Sequence, residues 1–467
     1  MKIKLFLVSV VLLGIIGAIF MSKNSKLLPP VLAPKPKPNL ILISFDGLQA
    51  KHLKSYGYEL DTAPNLEALL NQSTTFTNTV SPASWTVPAH MSIFTSMFPS
   101  EHKVVNKFSD YDLANKKGVI ANLKKLSPTA VTLAEILKTA GYATGGFTGD
   151  AGVGPQFGFN QGFDTYFETE TFGGLTGSAP KALEWLAQNK ANPFFLFLHG
   201  YDVHGQHELV GGSKGTYVSP DYKGEYTGSK VEQGKLREEG LANGEIALSA
   251  EDVAFWRAIY DEKIGRADLE FKNFMDQAAA MGALDNTIVI VMSDHGTEFY
   301  EHKRFDHGFS LYGEVINTLF AIRTPGQTQG QKVNQLVSTL DLLPTVLGLL
   351  EIENPVPNQI RGVDLTPALS GQDVAHNVFS ETDYRLYTFK RSFQTPDGWK
   401  LILTLENGQK ELYNLVLDPT EQTNLITKNP QKGYELEQTL RAHIDAVSGQ
   451  RNVTELGCSP VYGDQCQ

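Results

Sequence analysis

Residues 83–96, ASWTVPAHMSIFTS, put a hydroxyl at Thr86, a proline at position 88 and an imidazole at His90 where an apolar helical pattern begins. One reading is local: threonine is a good N-cap, and proline suits the first helical turn. The other is chemical. A hydroxyl at a helix start has backbone N–H groups and a positive dipole end beside it, which suits attack on a phosphate or sulfate ester. Three further stretches end in groups that would serve such a nucleophile: NLILISFDG in Asp46, FFLFLHGYDVH in Asp202 and His204, and NTIVIVMSDHG in Asp294 and His295. Asp46, Asp294 and His295 are ligands for one divalent ion (Ca, Mg, Mn or Zn). Three protein ligands leave a position open for Thr86, whose proton the ion would loosen. His204, and His307 in EHKRFDHG, are candidates for general acid or anion contact; His90, Asp202 and Lys303 are candidates for holding the substrate.

These residues need a scaffold that brings them together. The runs ending in Asp46, Asp202 and Asp294, with a fourth at TLFAIRTPG, are apolar without strict alternation, as strands buried on both faces are. Helical patterns at 130–142 and 261–284 lie between them. The alternation predicts an α/β fold with a central, mostly parallel sheet between two helical layers, and ligands in such sheets bind at the carboxyl ends of the strands. After about residue 350 the texture changes to short strands with turns at Pro-Asp-Gly and Asn-Gly, then a helix at YELEQTLRAHIDAV, which predicts a smaller C-terminal α+β subdomain. Residues 211–250 show no apolar period and read as a surface insertion.

With these residues in hand, the chain resembles the sulfatase family of the alkaline phosphatase superfamily over most of residues 39–430. The resemblance rests on NLILISFDGLQAKHLKSYGY, TAPNLEALLNQSTTFTNTVSPASWTVPAHMSIFTSMFPSEH, GFNQGFDTYF, FFLFLHGYDVH, IYDEKIGRAD, DNTIVIVMSDHGTEF, HGFSLYGEV and LDLLPTVLGLL, and on the stretch from GWKLILTL to EQTNL. It implies a divalent-metal ester hydrolase with Asp46, Asp294 and His295 on the metal and His204 and His307 near the scissile group. The departures are as informative. Sulfatases carry Cys or Ser in a Cys/Ser-x-Pro-x-Arg motif, oxidised to formylglycine; here the segment is Thr86-Val87-Pro88-Ala89-His90, and threonine cannot become that aldehyde. Ser84 is not followed two places later by proline. Gly47 stands where many sulfatases have a second metal-binding Asp, and Lys51 where relatives often have Asp. A threonine nucleophile resembles instead the superfamily's phosphodiesterases and phospho-group transferases.

Composition sets the boundaries. With 467 residues, 41% of them hydrophobic, the chain can bury a large core, and a net charge of −11 argues against a nucleic-acid partner. The N-terminus, with Lys2 and Lys4 ahead of an uncharged run to Met21, reads as a membrane anchor or a cleaved signal, followed by a Pro/Lys-rich linker at 22–38. The expected organisation is a catalytic domain at 39–375, a C-terminal subdomain at 376–450 and a tail at 451–467 in which Cys458 and Cys466 could form a disulfide. The expected function is a metal-dependent ester hydrolase outside the cytoplasmic membrane, anchored or secreted, acting on an anionic phosphate, phosphonate or sulfate ester through Thr86. The alternatives are a catalytically weak protein that binds an anionic glycan or lipid, and an envelope phospho-group transferase.

Overall fold

The computed structural model describes residues 36–105, 125–169, 172–205, 208, 215–384 and 388–448. The N-terminal apolar run, most of the Pro/Lys-rich linker and the cysteine pair lie outside them. Among the described residues no helix is long and apolar enough to cross a membrane.

Eight strands make the central sheet: β1 (Asn39–Phe45), β2 (Thr74–Phe76), β3 (Ala143–Thr148), β4 (Thr165–Glu168), β5 (Phe194–Gly200), β6 (Thr287–Ser293), β7 (Phe320–Arg323) and β8 (Gln331–Val333). They lie in the order β8-β2-β7-β6-β1-β5-β3-β4. All neighbours pair in parallel except at β7, which runs antiparallel to both β6 and β2. The unbroken apolar runs are explained by burial on both faces. In β1, Leu40 and Leu42 pack with α1 (Thr86–Thr95), α2 (Leu133–Thr139) and α6 (Leu342–Leu349), whereas Ile41 and Ile43 pack with α3 (Leu175–Asn189) and α5 (Ala250–Ala280). The three-layer α/β/α fold read from the sequence is the one observed. A four-stranded antiparallel sheet, β9 (Val378–Tyr384) to β12 (Lys410–Asn414), with α7 (Pro430–Ser448) against it, forms the smaller subdomain.

Two elements differ from expectation. The helix expected at 261–284 begins at Ala250, because Ser249 and Asp252 form a capping box well before the apolar period becomes regular. The insertion, expected to be irregular, contains helix α4 (Lys230–Asn243), also started by a capping box, Ser229 with Glu232. Its buried face is built from Gln233, Leu236, Gly240 and Leu241, too polar a set to give an apolar period.

Candidate active site

Strand register assembles the site. Phe45 of β1 pairs with Ser293 of β6 and with Gly200 of β5, so Asp46 and Asp294 leave adjacent strands side by side. Between them the chain turns at Gly47, whose φ of +72° lies in the left-handed region that favours glycine. The Gly47 amide donates to Asp294 Oδ1 at 3.0 Å, and its carbonyl accepts from Tyr260 Oη at 2.7 Å.

Thr86 is the first residue of α1, and Trp85 is the N-cap. The expectation that Thr86 itself caps the helix is therefore corrected: its hydroxyl lies 3.2 Å from Asp46 Oδ1 and 3.3 Å from His295 Nε2. His295 Nε2 is in turn 3.5 Å from Asp46 Oδ1 and 3.3 Å from Asp294 Oδ2. Asp46, Asp294 and His295 offer ligand atoms within 4.8 Å of one another, and all three are fully buried.

The charge balance of this cluster fits a cation. Asp294 Oδ2 is buried and no hydrogen bond reaches it. Burial opposes the Asp46 charge, but hydrogen bonds from His199 and His295 outweigh it and hold the carboxyl well below its usual range. Burial likewise disfavours a charged His295, yet the Asp294 and Asp46 carboxylates raise it to about 9, so an imidazolium supplies the positive charge that two buried carboxylates demand.

His90 Nε2 meets Ser44 Oγ at 2.9 Å, while Nδ1 lies 3.1 Å from the Thr86 carbonyl and 3.3 Å from Asp294 Oδ2. Nδ1 thus faces both the start of α1 and Asp294, Nε2 faces β1, and both ring nitrogens are engaged within the protein. His199 Nε2, 3.2 Å from Asp46 Oδ2, was missed in the sequence, although it stands in a quoted strand.

A second group stands alongside. His204 Nε2 and His307 Nε2 face each other at 3.2 Å, with Tyr201 Oη 3.1 Å from the former. The His307 ring is tilted over His295, with centroids 4.2 Å apart. Burial, then the neighbouring His307, keeps His204 well below its ordinary value; burial also lowers His307 against the pull of Asp306. Asp306, also missed, pairs with His307 Nδ1. It belongs to a hairpin of Glu298–Phe299 and Phe305–Asp306.

The remaining expected residues lie apart from this constellation. Asp202 accepts from the Leu175 amide at 2.9 Å and so spends its carboxylate on the N-terminus of α3. Lys303 is on the surface, paired with Glu245 at 3.1 Å, because the hairpin tip points it outward. Ser84 Oγ donates to the Gly308 carbonyl at 3.0 Å, and Lys51 is exposed.

The hairpin rests on buried charge. Glu298 Oε1 accepts from the amides of His302 and Arg304 at 2.9 and 3.0 Å, and His302 Nδ1 pairs with Glu314 at 2.6 Å. Burial, then the charges of Glu314 and Glu301, push Glu298 up from 4.5 to about 8. Burial works against a charged His302, but the Glu314 bond prevails and raises it from 6.5 to about 9. Both groups hold protons in the folded state that they release on unfolding, so both lose stabilisation as pH rises through these intervals. The melting temperature is therefore expected to fall between pH 6.5 and 8 in a calorimetric series, and Glu298→Gln to flatten that slope.

The three-layer fold gathers metal-type ligands at the ends of its strands. The model of the sulfatase family matches residues 38–352, and that of the N-sulphoglucosamine sulphohydrolase C-terminal region matches residues 300–450. The chain belongs to the sulfatase family. It is 24% identical to the delta 4,5-hexuronate-2-O-sulfatase of Bacteroides thetaiotaomicron, over 84% of this chain and 85% of that one. Against arylsulfatase K, identity is 26% with the Xenopus laevis protein, of which the match spans 54%, and 23% with the Mus musculus protein, of which it spans 79%. Among solved structures, a 2-O GAG sulfatase superposes with a TM-score of 0.68 at 20% identity, covering 88% of this chain and 92% of that one. The phosphonate monoester hydrolase of Agrobacterium radiobacter superposes with a TM-score of 0.63 at 17% identity, covering 87% and 96%.

Proposed function

We propose that the protein hydrolyses an anionic phosphate, phosphonate or sulfate ester through a covalent intermediate on Thr86, outside the cytoplasmic membrane. The observation that carries the proposal is the position of the Thr86 hydroxyl, within 3.3 Å of both Asp46 and His295. The residues present fit a divalent ion held by Asp46, Asp294 and His295, which when bound would lower the pKa of the Thr86 hydroxyl and offset charge on the ester oxygens. Thr86 Oγ bonds to phosphorus or sulfur as the bond to the leaving oxygen breaks. Asp306 pairs with His307 Nδ1 and so favours a proton there, which leaves Nε2 to accept one. The proton that Thr86 gives up is held at His307 Nε2, with His204 beside it, and passes to the leaving oxygen. Water then attacks the adduct, the bond to Oγ breaks and Thr86 regains a proton. Threonine chemistry places phosphorus esters ahead of sulfate, whereas the relatives' names favour sulfated sugars. A panel of aryl sulfate, phosphate monoester, phosphate diester and phosphonate monoester, each with several metals, tests the order: turnover of aryl sulfate alone would reverse it.

Asp306→Asn should lower kcat by about 10²–10⁴-fold with little change in KM, because the amide favours the wrong His307 tautomer. Steady-state kinetics on any turned-over ester checks this. A second reading has its own support: His204, Asp306 and His307 also gather ligand atoms within 4.8 Å of one another. Metal analysis separates the two, with one ion per chain expected from the proton-carrying pair and two from a second cation there.

A further inference from the structure

Asp46 presents its two oxygens to different partners. Oδ1 faces the site, 3.2 Å from the Thr86 hydroxyl and 3.5 Å from His295 Nε2, whereas Oδ2 lies 3.2 Å from His199 Nε2. The other nitrogen of the His199 ring fixes where its proton sits. A backbone N–H can only donate, and the Gly149 amide donates to His199 Nδ1 at 3.3 Å. The ring proton is therefore on Nε2, and Nε2–H donates to Asp46 Oδ2. The Gly149 amide is itself held in place. Gly149 directly follows β3, and a Cβ there would stand 1.9 Å from the Gly173 carbonyl oxygen, so only glycine lets the two backbones pass this closely. The His199 ring is fully buried, edge-on to His90 with centroids 4.9 Å apart and inclined 20° to Phe197. Strand β5 thus carries one fixed donor aimed at Asp46.

That donor bears on which ion the site takes. Ca²⁺ takes about six to eight oxygen ligands, often from bidentate carboxylates, whereas Zn²⁺ is served by about four ligands of nitrogen and oxygen. Asp294 Oδ1 is already occupied by the Gly47 amide at 3.0 Å, and its Oδ2 is free of hydrogen bonds. With Asp46 Oδ2 occupied by His199, each carboxylate keeps one oxygen for an ion, beside the His295 imidazole and the Thr86 hydroxyl. We propose that His199 is a positioning residue that sets the metal preference of the site: by confining Asp46 to one oxygen it favours a small cation of low coordination number over Ca²⁺. The proposal rests on the divalent ion of the hydrolase reading, but its test is metal binding and needs no turnover.

The probes are Zn²⁺ and Ca²⁺, titrated by calorimetry into the metal-stripped full chain, with Asp294→Asn as the blank that identifies the signal of this site. His199→Asn keeps an acceptor for the Gly149 amide but is too short to reach Asp46. His199→Gln places a side-chain N–H where Nε2–H stands. The Kd for Ca²⁺ divided by that for Zn²⁺ is expected to fall about tenfold or more in His199→Asn, because Asp46 gains its second oxygen, and to stay close to the wild-type value in His199→Gln. Equal weakening of both ions in His199→Asn, which would mean that His199 merely supports the fold, overturns the proposal. So does His199→Gln behaving as His199→Asn does. Nitrogen-15 NMR of the histidine rings, with His199→Gln assigning the His199 signals, reads the tautomer even if His199→Asn does not fold: a proton on Nε2 is expected, and one on Nδ1 overturns the proposal. Absence of any wild-type signal from either ion would refute the divalent-ion reading together with this one. A signal whose ratio ignores His199 would refute only this one.

Discussion

Thr86→Ala is expected to lower kcat by at least about 10³-fold on any ester the wild type turns over, with the fold intact. The size follows from the site. The hydroxyl is buried between Asp46 and His295 at 3.2 and 3.3 Å, and the nearby Ser84 hydroxyl is bonded instead to the Gly308 carbonyl. Thr86→Ser keeps Oγ and should retain much of the rate. Losing a methyl in a packed pocket loosens its rotamer but leaves the reacting atom present. A purely capping role would give the opposite pattern, a stability change of about 1 kcal/mol with kcat preserved. Rates and melting curves of the two variants, taken together, separate the roles.

Removal of the divalent ion should abolish turnover and lower the melting temperature. Asp46 and Asp294 are both fully buried, and Oδ2 of the latter has no hydrogen bond to satisfy it. Without the ion, the imidazolium of His295 must neutralise both. An ion present at a thousandfold excess over its Kd stabilises the folded state by about 4 kcal/mol, enough to move the melting temperature by several degrees. Asp294→Asn should abolish most of this metal dependence, because it leaves one carboxylate and one imidazole as ligands. Melting curves with and without chelator, in wild type and variant, give the comparison. An unchanged wild-type transition would mean that no ion is held there.

Much of this fold was legible in its sequence because burial on both faces leaves unbroken apolar runs, and two of those runs, β1 and β6, end at the candidate site. Asp46, Asp294 and His295 were readable for that reason. Asp306 was not, since a two-residue strand in a hairpin gives no period, and the acid follows Phe305 as any turn residue might. His199 lay inside an unbroken apolar run, where no alternation marks which side chain meets Asp46. Helix α4 was hidden because its inner face carries Gln233 and Arg237, residues that ordinarily mark a solvated surface. Lys303 and Asp202 misled for the converse reason: charge close in sequence to a site does not fix where a side chain points, and both serve local pairs.

The most direct test of Thr86 as nucleophile is rapid quench of the metal-loaded protein with a turned-over ester, followed by mass analysis of the peptide that contains residue 86. The expected result is a phosphoryl, phosphonyl or sulfuryl group on Thr86, formed before product release is complete and absent in Thr86→Ala. An adduct on another residue, or full turnover with Thr86 never modified, would contradict it.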